Sequence, residues 1–272
     1  MIWETKGVSQ VVRDWDTFLL PYEQAVDELK VKFKSLRAEL KHKEQYAPIE
    51  FVTGRLKKVS SILEKAKILG ISPDHIEQVP DIAGIRIMCQ FVEDMHRVAE
   101  HIRQRKDMKV VEERDYVTNR KPSGYRSYHF IVSYPVQTAS GEVELLAEVQ
   151  IRTLAMNFWA TIEHSLNYKY KGNMPDEVRQ RLVRAAEASF MLDNEMSVIR
   201  HEIKEAQILF ERKSNTVEEI LTNIEKMIHH GQIEMAAEYH GRFHEAQSLD
   251  IEMLIKLSEE IKQVVEQLDG RQ

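Results

Sequence analysis

Apolar residues recur every three or four positions between residues 10 and 45, at Leu19, Tyr22, Val26, Leu29, Phe33, Leu36 and Leu40, with charges between them. That spacing predicts a long amphipathic helix. Pro48 predicts the start of a second helix, Ile49 to Leu69, closed by Gly70. The pattern then changes. GIRIMCQFV at 84–92 is a nearly continuous apolar run with β-branched members, the mark of a buried strand. A short amphipathic helix over 94–106, a strand VVEERDYV at 110–117 and a polar loop NRKPSG at 119–124 follow.

Two strands with strict alternation come next. In SYHFIVSYPV (127–136), Tyr125, Ser127 and His129 share one face, and Tyr128, Phe130 and Val132 the other. In VELLAEVQIRT (143–153), Leu145, Ala147, Val149 and Ile151 point one way, while Glu144, Glu148, Gln150 and Arg152 point the opposite way. The turn TASGE between them predicts an antiparallel hairpin with its polar faces side by side. Helices are expected over 154–170 and from Pro175 to about Arg212. Two helices, four or five strands and two more helices give an α+β domain over 1–212. The tail, 213–272, reads as helices broken at His230–Gly231. Ile251, Leu254, Ser258, Ile261, Val265 and Leu268 keep a seven-residue repeat that predicts a helix–helix seam.

Composition narrows the classes. Hydrophobic residues make up 43% and charged residues 30% of 272, an ordinary globular mix. One cysteine, Cys89, leaves no internal disulfide or Cys-based zinc site and fits a reducing cytoplasm. No apolar run approaches the ~20 residues of a membrane span, and MIWETKGVSQ lacks the layout of a signal peptide. The net charge of −6 sits entirely in residues 213–272, which hold 6 Lys+Arg and 12 Asp+Glu. The rest is neutral, which argues against general nucleic-acid binding and leaves room for a local basic pocket.

Asp81, just before the buried strand, and Glu148, on the polar strand face, are the candidate reactive carboxylates. Two acids on adjacent strands can hold Mg²⁺ against phosphate oxygens; as two acids alone they read equally as solvated surface groups. Their surroundings favour chemistry. Arg55, Lys57, Lys58, Lys65 and Lys67 crowd the second predicted helix, Arg86 follows Asp81, and Arg114, Arg120, Lys121 and Arg126 bracket the polar loop. Fixed cations around a carboxylate–metal centre suit polyphosphate transfer. Tyr125, next to Gly124, offers a ring for stacking on a purine.

EFVTGRLKKVSSILEK, DIAGIRIMCQF, SGYRSYH and EVQIRTLAMNFWATIEHSLNYKYKG, in order over residues 10–212, resemble the synthetase domain of the RelA/SpoT superfamily. The resemblance is to its single-domain members, the small alarmone synthetases. It implies a nucleotidyltransferase-like mixed sheet that moves the β,γ-pyrophosphate of ATP to the 3′-hydroxyl of GDP or GTP, giving AMP and ppGpp or pppGpp. On matching positions, Asp81 binds Mg²⁺ and Glu148 is metal ligand, general base, or both. Arg55, Lys57, Ser61, Lys65 and Arg86 hold ATP. Arg114, Lys121, Tyr125, His129 and Gln150 hold the guanine nucleotide, with the Tyr125 ring alone doing the stacking. The resemblance also implies a homotetramer with a pppGpp activator site at Lys34, Phe51, Thr53, Gly54 and Asn157. A plain core role for Phe51 is the alternative.

Ile68 stands where some relatives carry a further basic residue, and no His-Asp pair is present, so hydrolysis is not expected. Cys89, Met156, Phe158 and Trp159 read as core. His229, His230, His240 and His244 read as solvated, since no further ligand stands at metal-site spacing. Three rival functions remain on sequence: a nucleotide sensor without turnover, an RNA-modifying nucleotidyltransferase, and an assembly scaffold. The presence of both acids, the neutral core and the complete SGYRSYH block count against them.

Overall fold

A computed structural model describes residues 14–170, 174–246 and 251–269. In order, the elements are α1 (Trp15–His42), β1 (Phe51–Leu56), α2 (Val59–Leu69), a 3-10 turn (Pro73–Gln78), β2 (Ala83–Cys89) and α3 (Val92–Arg103). Then come β3 (Lys109–Asp115), β4 (Tyr128–Thr138), β5 (Gly141–Thr153), α4 (Leu154–Tyr170), α5 (Asp176–His229), α6 (Ile233–Ala246) and α7 (Ile251–Asp269). The described residues divide into two compact units, up to Ser197 and from Val198, although α5 runs unbroken through that point.

The first unit is an α+β domain on a five-stranded sheet in the order β1-β2-β5-β4-β3. Strands β2 and β5 run parallel; the other neighbours are antiparallel. One face carries Ile85, Ile87, Val149, Ile151, Phe130 and Val132, which pack with Leu29 and Phe33 of α1 and Val98 of α3 into the main core. The alternation of β4 and β5 is as expected, and the hairpin closes on Ala139–Ser140, with Thr138 opposite Gly141.

The stretch 49–56 departs from the expected second helix. Phe51–Leu56 is strand β1, paired antiparallel with β2 from Phe51↔Met88 to Leu56↔Ala83. Phe51, Val52 and Thr53 favour a pleated surface, whereas Gly54 inside a helix would be about 1 kcal/mol worse than Ala. Gly54 is also needed for packing, because a Cβ there would lie 2.7 Å from Val26 Cγ1 of α1. The helical portion begins only at Val59, and Gly70, with φ 70°, closes it as expected. Likewise α5 continues past residue 212 to His229, with Gly231 (φ 76°) beyond it; no helix breaker lies between.

Met156 and Trp159 of α4 are buried, but Phe158 is 69% exposed, a correction to its expected core role. Successive helical residues turn about 100°, so Phe158 cannot share the inward stripe of its neighbours. Cys89 is buried in β2, and burial pushes its thiol well above the usual range, consistent with core packing.

Thr153 links β5, α4 and α5. Its hydroxyl accepts from Met156 N at 3.0 Å and donates to Asp193 Oδ2 at 2.6 Å. Burial raises the Asp193 carboxyl from 3.8 to about 6, against the Thr153 hydrogen bond and the charge of Arg126. A carboxyl whose folded pKa exceeds its unfolded one favours the fold while protonated. That contribution is full below about pH 4 and is lost as the pH rises through 6. Asp193→Asn keeps the acceptor for Thr153 without the charge. It should melt higher than the wild type at pH 8, by roughly 1–2 kcal/mol, with the gap closing towards pH 4; calorimetry across that range checks it, and a constant gap would refute the assignment.

The second unit is a helical hairpin bundle. Ile220, Ile224 and Met227 of α5 pack with Phe243 of α6 and Leu254, Leu257, Ile261 and Val265 of α7. The predicted seam is therefore α7's inward face, with Ser258 also buried and its hydroxyl bonded to Glu219 at 3.0 Å.

Candidate active site

The polar face of the sheet floors a cavity of about 450 Å³. Strand pairing sets two rows of side chains across it. One runs Thr53–Arg86–Gln150–His129–Arg114 over all five strands. The next runs Arg55–Gly84–Glu148–Ile131–Glu112, where Gly84 leaves the space between Arg55 and Glu148 open. Every sequence-predicted catalytic, ATP and guanine residue lines this cavity except Ser61. Ser61 is on α2 one turn before Lys65 and shares its face without being part of the cavity lining.

Seven Lys and Arg side chains against three carboxylates make the cavity an anion site. Burial, then repulsion from Arg55 and Arg152, lowers the Arg86 pKa, the mark of cations crowded without enough counter-charge. Asp81 is fixed beside this field. Lys57 N donates to Ile82 O at 2.9 Å, which brings Lys57 Nζ to 2.6 Å from Asp81 Oδ2, with Lys65 Nζ at 3.9 Å. Asp81 Oδ1 is buried and has no hydrogen-bond partner among the described residues. A buried carboxylate oxygen left open beside crowded Lys and Arg side chains fits a divalent cation ligand.

Glu148 has both oxygens engaged, Oε1 by His129 Nδ1 at 3.0 Å and Oε2 by Gln150 Nε2 at 2.6 Å. Burial alone would raise its carboxyl, but these hydrogen bonds and nearby positive charge hold it down at about 2. The chain of contacts closes on itself. His129 Nε2 is 2.8 Å from Tyr125 Oη, Arg152 Nη2 donates to Tyr125 Oη at 2.6 Å and to Gln150 Oε1 at 2.7 Å. Arg152 can only donate, so the Tyr125 oxygen accepts from it, and the ionised Glu148 carboxylate can only accept, so His129 donates to it from Nδ1. Burial also raises the Tyr125 phenol, so it stays protonated.

Tyr116 and Arg152 line the cavity although neither was singled out as a binding residue. Tyr116 stands 5.2 Å edge-on to His129 and 6.1 Å from Tyr125, with Lys121 Nζ 4.5 Å above its ring. Its signal was parity with Arg114, two residues earlier. Arg120 and Arg126 turn away and pair with Glu187 of α5, Arg126 stacking on Phe190 at 3.9 Å.

The expected activator residues are spread over the domain. Phe51 is 41% exposed, so it is no core anchor. Phe51 and Thr53 stand on the sheet face opposite Gly54, which turns to α1; Lys34 is exposed on α1, and Asn157 Oδ1 on α4 is buried without a partner among the described residues.

Comparison with known proteins places these motifs. The pattern described as "Region found in RelA / SpoT proteins" matches residues 54–173. The GTP pyrophosphokinase YjbM of Bacillus subtilis is 58% identical over 207 residues, 76% of this chain and 98% of that protein. The GTP pyrophosphokinase YwaC of the same organism is 37% identical, over 71% and 93% of the two chains. The crystal structure of small alarmone synthetase 1 from Bacillus subtilis bound to its product pppGpp superposes with a TM-score of 0.67 at 60% identity, covering 70% of this chain and 97% of that one. With a relative this similar along almost its whole length, and with the cavity floor built from the same blocks, the chain belongs to the RelA/SpoT family, among its small alarmone synthetases.

Proposed function

We propose that the protein is a GTP pyrophosphokinase that transfers the β,γ-pyrophosphate of ATP to the 3′-hydroxyl of GDP or GTP. The observation that carries this is one cavity around Glu148, lined by a cationic group from β1, the segment after it, α2 and β2 (Arg55, Lys57, Lys65, Arg86) and by an aromatic, hydrogen-bonding group from β3, the loop after it, β4 and β5 (Arg114, Lys121, Tyr125, His129, Gln150). The first group holds the ATP phosphates and packs Arg86 on adenine. The second holds the guanine nucleotide. The 3′-oxygen attacks the β-phosphorus of ATP, the bond from that phosphorus to the α,β-bridging oxygen breaks, and AMP leaves. Glu148 accepts the hydroxyl proton as the new P–O bond forms; held low by His129 and Gln150, it works as an orienting acceptor first. Asp81 and Glu148 would hold Mg²⁺ together with phosphate oxygens. When bound, the ion neutralises charge building on the transferred group.

The inactive-sensor reading is disfavoured by both carboxylates lining one cavity. Thin-layer separation of products from ATP with GDP, GTP and GMP in turn tests the reaction. A 3′-pyrophosphorylated guanosine nucleotide plus AMP is expected, and their absence with every acceptor would overturn the assignment.

The reading extends to the whole chain. Residues 1–212 form the synthetase domain and 213–272 an acidic helical extension, in a cytoplasmic homotetramer. The tetramer would bring Lys34, Phe51, Thr53, Gly54 and Asn157 of neighbouring copies together around an activating pppGpp. The exposure of Phe51 supports this, since a stacking ring must be free to meet a base. Phe51→Ala should abolish stimulation by added pppGpp while basal turnover stays within about twofold; unchanged stimulation would refute the site, and a monomer by light scattering would refute the assembly.

A further inference from the structure

We propose that Arg152 is a positioning residue of the acceptor subsite, aiming the Tyr125 ring and the Gln150 amide with a single guanidinium nitrogen. The proposal rests on the reading of Tyr125 and Gln150 as guanine-nucleotide contacts. Arg152 is 5% exposed at the cavity wall. Its Nη2 reaches Tyr125 Oη at 2.6 Å and Gln150 Oε1 at 2.7 Å, and its Nε reaches Ser127 Oγ at 3.3 Å. Ser127 Oγ in turn donates to Ile151 O at 3.2 Å, so the fork is braced against the backbone of β5.

Among the described residues, no Asp or Glu forms an ion pair with Arg152. A buried guanidinium satisfied only by neutral oxygens is an unfavourable way to stabilise a core. It is a good way to fix two polar side chains at once, because the planar fork holds its donors at set angles and an ammonium does not.

The Tyr125 ring packs against Trp159, Ala160 and Ala186, which seats it but leaves its hydroxyl unaimed; Tyr125 stands three residues before β4 and directly after Gly124, whose φ is 86°, so the ladder does not aim it either. The phenol oxygen is the handle: it accepts from Arg152 and faces His129 Nε2. The same nitrogen turns Gln150 so that its amide oxygen meets Arg152 and its NH₂ meets Glu148. One side chain thereby sets the stacking surface, a candidate base contact and a donor to Glu148.

This changes what Tyr125→Phe should do. Stacking alone makes that substitution mild, since the ring survives. With the hydroxyl as the handle, Tyr125→Phe should raise the KM for the guanine nucleotide about fivefold or more and leave the KM for ATP unaltered. Arg152→Lys should raise the guanine KM about tenfold, the scale of one lost charge-assisted hydrogen bond, with a smaller change in kcat. The double variant Tyr125→Phe/Arg152→Lys should fall well short of the product of the two single effects, because both remove the contact between Arg152 and the Tyr125 hydroxyl. A general packing defect would instead multiply the two losses and lower both KM values together.

The measurement is steady-state kinetics with each substrate varied in turn, on four proteins plus Tyr125→Ala. Multiplying effects in the double variant, or equal effects on ATP and the guanine nucleotide, overturn the proposal. If Arg152→Lys fails to fold, Tyr125→Phe decides alone: a wild-type guanine KM overturns it. If Tyr125→Ala also leaves the guanine KM unchanged, the acceptor-site reading itself falls. If Tyr125→Ala raises it and Tyr125→Phe does not, only the role of Arg152 falls.

Discussion

Glu148→Gln and Asp81→Asn should each lower turnover by at least about a hundredfold, the scale seen when one preorganised polar group is removed from a reacting centre. The losses come by different routes. Gln at 148 keeps its shape and one acceptor oxygen, so the contact with His129 survives, but it presents NH₂ where a carboxylate oxygen faced Gln150 and cannot take the hydroxyl proton. Asn at 81 removes the charge that pairs with Lys57 and leaves a weaker ligand at the buried Oδ1 position. Raising Mg²⁺ should therefore partly restore Asp81→Asn and help Glu148→Gln less, because no concentration of the ion lets Gln at 148 take the hydroxyl proton. Initial rates across Mg²⁺ concentrations, with melting curves to confirm folding, read both. Near-normal synthesis by either variant would sink the assignment of that residue.

Gly124→Ala should disable the acceptor half while sparing the ATP half. The added Cβ would sit 2.6 Å from Ala186 Cβ of α5, and the backbone φ of 86° disfavours any side chain. Left-handed geometry costs about 1–2 kcal/mol for an L-residue and overpacking about 1–3 kcal/mol. The loop over 119–127 is anchored at this point, with Gly124 N bonded to Lys121 O at 2.9 Å and Arg120 and Arg126 clamped on Glu187. The strain should be relieved by lifting that loop, which carries Lys121 and Tyr125. The expected result is a rise in guanine KM of at least about tenfold, little change in ATP KM and a modestly lower melting temperature. A silent Gly124→Ala would mean that the loop does not need its seat on α5.

The parts of the site legible in the sequence are those encoded by strand parity. Alternation in VELLAEVQIRT put Glu148 and Gln150 on one face, and pairing then carried them beside His129 and Arg86. Arg152 was on the same face, yet its value lies in contacts with Tyr125 and Gln150 that no spacing shows. Tyr116 was hidden for the same reason. Strand β1 was misread because Pro48 imitates a helix start and Gly70 closes a true helix downstream. What fixes it as a strand is non-local, the pairing with β2 and the close approach of α1 to Gly54. Ser61 shows a different limit: helical spacing puts it on the face of Lys65, but whether a residue on that face lines the cavity depends on packing that spacing does not show. The extent of α5 was underestimated since its composition changes near residue 212 while its backbone preference does not.

The hairpin of β4 and β5 turns on two residues, Ala139 and Ser140, and its two faces serve opposite purposes, one oily and one reactive. Length changes in this hairpin are consequently quantised. Losing or gaining one residue between Gly141 and Glu148 would invert the whole strand beyond it, sending Glu148, Gln150 and Arg152 into the core and Val149 and Ile151 into the cavity. Two residues would merely slide the pairing and keep every side chain on its own side. Insertions tolerated along this ribbon should therefore come in even numbers, as a reading frame of two written into the sheet.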